Sequence, residues 1–157
     1  GEQPMALPPV DATLPAQALF SAQLYWDDGQ GLDESRKQVV RGVIGERHQT
    51  LRFQLPPALA DLRALKSDPA DRPGILHLRS ICLHPAAEPP RVAWQWQAAT
   101  DGTAALLRSA TTQQMVCAGA LPGDASAAVL LTGDAPWIRL PMEPDTLRQA
   151  AATSPLT

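Results

Sequence analysis

The chain predicts an all-β fold: a mainly antiparallel β-sandwich of jelly-roll type. Three observations carry this. Apolar and polar residues alternate with a period of two in several short runs, as strands with one buried face require. Turn-forming clusters of Gly, Pro, Asp and Ser punctuate those runs at intervals of about eight to twelve residues. The sixteen prolines are scattered between apolar runs, as expected where many strands are joined by turns.

Taken in order, residues 1–16, with Pro4, Pro8 and Pro9, read as an extended leader or linker poorly suited to helix. A β-sandwich domain is expected over 17–141. Its first strand places Ala18, Phe20, Ala22, Leu24 and Trp26 on one face, with Leu19, Ser21, Gln23 and Tyr25 on the other. Asp27-Asp28-Gly29-Gln30-Gly31 ends it in a turn. Lys37 to Ile44 is rich in β-branched residues, and Gly45-Glu46 reads as a hairpin tip. Leu51, Phe53 and Leu55 then alternate with polar neighbours in a third strand, which Pro56-Pro57 closes.

Leu62 to Leu83 is the organising unit: a strand, a polar turn over Ser67–Gly74, and a second strand. Ile75, His77, Arg79, Ile81 and Leu83 alternate there with Leu76, Leu78, Ser80, Cys82 and His84. Apolar residues on both sides predict a strand well inside a sheet. A connector with Pro85, Pro89 and Pro90 leads to Arg91–Ala98, where Val92, Trp94, Trp96 and Ala98 share a face. After a turn at Asp101-Gly102, weaker strands are expected at Ala105–Arg108 and Gln113–Ala118. Stronger ones follow at Ala127–Thr132 and Pro136–Leu140. Residues 142–157 read as a C-terminal linker leading out of the domain, with one or two helical turns over Asp145–Ala152.

A net charge of −3 and a pI near 5.5 leave no basic footprint for nucleic acid or an anionic membrane. No apolar run approaches the ~20 residues of a membrane helix. The start shows no basic-then-apolar signal pattern, and an opening Gly1 reads as an excised piece of a longer chain. Cys82 and Cys117 lie in apolar surroundings, which predicts two buried free thiols and a reducing compartment.

The catalytic inventory is thin. His48, His77 and His84 have no metal-type spacing, and no nucleophile elbow, phosphate-binding loop or dinucleotide fingerprint is present. The chain therefore reads as non-catalytic, with no cofactor expected. Asp27, Asp28, Asp33 and Glu34 offer oxygen ligands for calcium without the spacing of a calcium loop, so a solvated turn is expected and no metal.

Sugar binding uses flat aromatic surfaces for C–H faces and bidentate polar groups, such as side-chain amides and guanidinium, for hydroxyls. Trp94 and Trp96, about 7 Å apart along one strand face, have that form. Yet they share their face with Val92 and Ala98, so core packing is expected, as for Trp26 beside Phe20 and Leu24. Trp137, among prolines near a turn, is the tryptophan least suited to burial. The opposite faces carry Gln23 and Tyr25, Arg52 and Gln54, and Arg91, Gln95 and Gln97. Were their strands neighbours, they would form one polar sheet face, either reading sugar hydroxyls or simply solvated. Gln23, Tyr25, Arg52, Gln54, Arg91, Gln95, Gln97 and Trp137 are the candidate carbohydrate-binding residues.

Three passages carry a resemblance to a family: AQLYWDDGQGLDES (22–35), QTLRFQLP (49–56) leading into LRALKSDPADRPGILHLRSICL (62–83), and the closing TGDAPWIRLP (132–141). Together they resemble the accessory β-sandwich, carbohydrate-binding-module-like domain of bacterial polysaccharide and O-antigen glycosyltransferases. That pattern is an aromatic strand followed by Asp-x-Gly-x-Gly, an Arg-containing strand ending in Asp-Pro, and a late Asp-Pro strand. Here Lys66-Ser67 precede Asp68-Pro69, and Ala135 separates Asp134 from Pro136. The resemblance implies a non-catalytic domain that binds glycan or positions a neighbouring glycosyltransferase domain. It also implies a cytoplasmic setting, at the inner face of the membrane through the parent chain. The alternatives are a structural domain that spaces or dimerises transferase domains, and a stand-alone enzyme with an unrecognised site.

Overall fold

The computed structural model describes residues 18–56, 61–84, 92–101, 111–120 and 126–147, with backbone alone over 117–120. These residues form antiparallel sheets with little helix, so the fold is all-β. The strands are β1 (Leu19–Asp27), β2 (Lys37–Val43), β3 (Ala64–Asp68), β4 (Gly74–Leu78), β5 (Ser80–Leu83), β6 (Trp94–Gln97), β7 (Thr111–Gln113), β8 (Met115–Ala120), β9 (Ala127–Leu131) and β10 (Trp137–Arg139). They lie in a five-stranded sheet of order β2-β1-β3-β10-β7, a three-stranded sheet β4-β9-β8 and a two-stranded sheet β5-β6.

Alternation along β1 decides what the large sheet buries. Ala22 and Trp26 are buried, with Phe20 and Leu24 half-buried beside them. Leu24 pairs with Ser67, Trp26 pairs with Leu65, and Ile138 of β10 pairs with Ser67, so one face of the sheet gathers these apolar side chains. They meet side chains of both smaller sheets in one core: Trp26, Leu62, Leu65, Trp96, Ala127, Ile138 and Leu140 are all buried there. Leu78, Ile81, Leu83, Trp94 and Ala98 pack against its margin. Trp94 and Trp96 are thus packing residues. Val92, expected on the same face, is exposed instead.

The second strand of the organising unit is not one strand. It is split at Arg79 into β4, which pairs with β9, and β5, which pairs with β6. The side chains turned inward change phase there, from Leu76 and Leu78 to Ile81 and Leu83. Nor is it well inside a sheet: β4 is an edge strand, and Ile75 is 66% exposed. The same change of phase leaves Cys82 exposed, a free thiol rather than a buried one; the Cys117 side chain lies outside the described residues.

A similar corner divides the expected Gln113–Ala118 strand. Gln114, with φ of 57°, ends β7 in the five-stranded sheet and starts β8 in the three-stranded one. Its backbone oxygen accepts from the Thr132 N–H at 2.9 Å, and its side-chain oxygen accepts from the Ala135 N–H at 3.0 Å.

Leu51–Leu55 is not a ladder strand either. Residues 51–55 keep alternating burial, but this segment meets the free edge of β2 through side chains. The Gln49 amide donates to the Val43 carbonyl at 2.7 Å and accepts the Val43 N–H at 3.0 Å. The Gln54 N–H donates to the Gln38 side-chain oxygen at 2.5 Å. Gly45, with φ of 85°, turns the chain after β2, so the expected hairpin tip leads into a side-chain clamp.

Residues 144–147 are helical and send Leu147 into the core, so the packed unit continues past Pro141. The expected strand at Ala105–Arg108 and the connector at 85–91 lie outside the described residues. Among the described residues no helix is long and apolar enough to cross a membrane.

Candidate functional site

The face of the large sheet turned away from the core holds an open cleft of about 250 Å³, lined by Tyr25, Leu32, Asp33, Glu34 and Lys66. Its floor follows from register. Lys37 of β2, Tyr25 of β1, Lys66 of β3 and Arg139 of β10 are successive cross-strand partners, so their side chains leave the sheet on one side. One step along the strands, Gln23 pairs with Asp68 on that same side.

Its rim is the turn after β1. Asp27 Oδ1 accepts the N–H groups of Gly29 and Gly31, each at 2.8 Å, and both glycines take the positive φ this turn requires. Arg36 closes the loop by donating to the Gly31 carbonyl at 3.0 Å and pairing with Asp28 at 3.5 Å. Burial acts upward on Asp27, but the two N–H donors, joined by the charges of Arg63 and Arg139, together hold the carboxyl below its ordinary value. Asp27, weighed as a calcium ligand, is therefore already engaged by its own turn. Among the described residues no three His, Cys, Asp or Glu side chains converge as metal ligands.

The folded loop brings Glu34 over Tyr25. The Tyr25 hydroxyl donates to Glu34 Oε2 at 2.6 Å, with the Gln23 side-chain oxygen a longer acceptor at 3.2 Å. Lys37 donates to the other Glu34 oxygen at 2.5 Å. Burial, then the Glu34 hydrogen bond, pushes the Tyr25 hydroxyl well above its usual range, so it stays a proton donor at any physiological pH. Lys37, then Tyr25, holds Glu34 below the usual carboxylate range. Tyr25 is only 7% exposed, because Lys66 Nζ lies 4.4 Å from its ring centre and Lys37 Nζ 5.6 Å.

Lys66 also lies 5.4 Å from the Trp137 ring centre, which joins Trp137 to the group. Asp68 is buried beside it. Its Oδ1 stands 3.5 Å from Lys66 Nζ, an ion pair without hydrogen-bond geometry, and has no hydrogen-bond partner. Desolvation raises the Asp68 carboxyl, and the lysine offsets this only in part.

Of the residues singled out from sequence, Gln23, Tyr25 and Trp137 come together here. Gln95, exposed, and Gln97, whose N–H donates to Asp101 at 2.8 Å, belong to β6 in a different sheet. Arg52 and Gln54 are exposed on the segment beyond β2, and Arg91 lies outside the described residues. The single polar face built from all of these strands does not form.

No known family model, curated protein or solved structure matches the chain.

Leu32, Lys66 and Asp68 were not among the candidate site residues of the sequence, and Asp33 and Glu34 were weighed there only as oxygen ligands for calcium. Lys66 and Asp68 sit two apart in Ala64–Asp68, with Leu65 and Ser67 on the other face. Treating that stretch as a neighbour of β1 would have placed both beside Tyr25. Chemically the cleft offers an ammonium, two carboxylates and an apolar rim residue above a protonated phenol.

Proposed function

We propose that the chain is a non-catalytic carbohydrate-binding or glycan-positioning module of a larger bacterial polysaccharide-synthesis glycosyltransferase, and that the Tyr25–Lys66 cleft is its contact surface. The observation that carries this reading is the mixture of donors and acceptors where the turn after β1 folds over the sheet face. Lys66 supplies a donor, Asp33 and Glu34 supply acceptors, and Leu32 gives an apolar edge around a cleft of about 250 Å³. Sugar hydroxyls are simultaneous donors and acceptors, and fixed groups of both kinds suit them. The family resemblance supports the same reading and its cytoplasmic setting beside a transferase domain. The core shared by all three sheets supports a sandwich of jelly-roll type, its second leaf made of the two smaller sheets joined through the continuous β4–β5 chain.

Titrating the labelled domain with a panel of neutral and acidic oligosaccharides while following backbone amide signals tests this. Saturable shifts around Tyr25, Leu32 and Lys66, abolished by Lys66→Met with the fold intact, are expected. A panel that moves none of those signals refutes the reading.

A second reading, a structural or interaction domain, is favoured by one observation. Ile75, Leu130 and Val116 are successive cross-strand partners across β4, β9 and β8, and all three are exposed. Sedimentation at several concentrations tests it; a strictly monomeric domain counts against self-association through that row.

A further inference from the structure

The register of the large sheet continues the candidate cleft toward β10. Beside Lys66, its direct partner Arg139 leaves the sheet on the same side, as does Trp137, two residues away on β10. Ile138 between them is buried, which fixes the alternation. Neighbouring strands lie roughly 4.8 Å apart, so Lys66 and Arg139 stand side by side and Lys37 about two strand spacings from Lys66.

These three cations differ in how they are engaged. Lys37 is paired with Glu34 at 2.5 Å. Lys66 shares Asp68 at 3.5 Å and lies over two aromatic rings. Arg139 is exposed and makes no hydrogen bond among the described residues, its positive charge acting on the Asp27 carboxylate from a distance. A guanidinium with no hydrogen bond, beside a half-buried tryptophan and an ammonium shared with Asp68, leaves charged donors unused on a chain whose net charge is −3. A planar guanidinium binds carboxylate or phosphate oxygens through two parallel hydrogen bonds, while a tryptophan face accepts the C–H side of a sugar ring.

We propose that the Lys66–Trp137–Arg139 surface selects sugars bearing an anionic oxygen group, with Arg139 as the residue that reads the charge. The proposal rests on the glycan reading of this face and narrows it to acidic glycans. The ring of an acidic sugar lies against Trp137, its anionic group is held by Arg139, and Lys66 adds the second cation. A uronate carboxylate and a sugar phosphate present the same chemistry, and suitable probes separate them.

The test is calorimetric and NMR titration of the intact domain with trigalacturonate, its neutral methyl ester and glucose 6-phosphate, at low and at physiological salt. The trigalacturonate or the phosphate is expected to bind more tightly than the ester and to weaken with salt. Arg139→Gln is expected to reduce that affinity about ten- to a hundredfold, the worth of hydrogen bonds to a charged group, and to lower ester binding by far less. Because Arg139 is exposed, the variant should melt as the parent does; Trp137→Leu gives a second probe, weakening acid and ester alike. Equal affinity for trigalacturonate and its ester, or an Arg139→Gln variant that binds as the parent, overturns the acidic selection and leaves the glycan reading standing. Absence of binding by every sugar, neutral ones included, removes both.

Discussion

Replacing Asp68 by Asn should stabilise the domain at neutral pH, although it removes one half of an ion pair. Asp68 is 9% exposed, and its Oδ1 has no hydrogen bond. At 3.5 Å from Lys66 Nζ and an effective dielectric near 20, the attraction is about 5 kcal/mol. Withdrawing a carboxylate from water costs several kcal/mol per ion, and no donor on Oδ1 offsets it. The two nearly cancel. Desolvation is the larger, because the carboxyl is raised rather than lowered despite the adjacent lysine. Removing one partner of a fully buried pair costs about 3–5 kcal/mol because the other charge is stranded, but the Lys66 side chain is 20% exposed and keeps its two rings; Asn keeps the shape and avoids the ionic penalty, so a gain of about 1 kcal/mol is expected.

The pH dependence has a definite sign. A carboxyl raised by folding holds its proton more tightly in the native state, so its penalty is absent below the unfolded value and grows as pH rises through the native one. Asp27, Asp33, Glu34 and Asp71 are lowered and act oppositely, losing their stabilisation as pH falls. The difference between variant and parent cancels Asp27, Asp33 and Asp71 and leaves Asp68 together with its repulsion from Glu34. Urea unfolding at pH 3, 5 and 7.5 should show the advantage of Asp68→Asn growing with pH and then levelling. A variant about 1 kcal/mol less stable than the parent at pH 7.5 would refute this, showing that the lysine outweighs desolvation.

Two further perturbations address the scaffold. Leu62 is fully buried among Trp26, Leu65 and Trp96, so Leu62→Ala should cost about 2–5 kcal/mol, read as a lower urea midpoint at unchanged slope; a loss below 1 kcal/mol would show that the core closes over the gap. Gln49→Ala removes both hydrogen bonds that cover the β2 edge, at a cost of at most about 1 kcal/mol, and should make sedimentation concentration-dependent as the bare edge finds partners; a monomeric variant would show that the edge is protected otherwise.

What the sequence made legible was burial more than pairing. The alternation in β1 correctly placed Phe20, Ala22, Leu24 and Trp26 inward, because a half-buried strand shows that difference directly. The same alternation at Leu51–Leu55 also reports burial, yet no ladder forms, since a period of two records which side chains are covered and not what the backbone bonds to. The break at Arg79 was hidden because both alternating sets of the Ile75–His84 run contain apolar residues, so a change of phase leaves no mark in the pattern. The site was half visible. Gln23, Tyr25 and Trp137 stood out by residue type, whereas Lys66, Asp68 and Arg139 join them only through the order β1-β3-β10, which no local pattern encodes.

Arg79 and Gln114 are corners at which the chain leaves one sheet and enters another within a single residue. Such short passages leave no slack. Loosening β5 from β6 would tug on β4 through one peptide unit, and displacing β8 would drag β7 at the rim of the larger sheet. The three sheets are therefore expected to open as one cooperative body, with amide protection spread evenly across them rather than stepped from sheet to sheet.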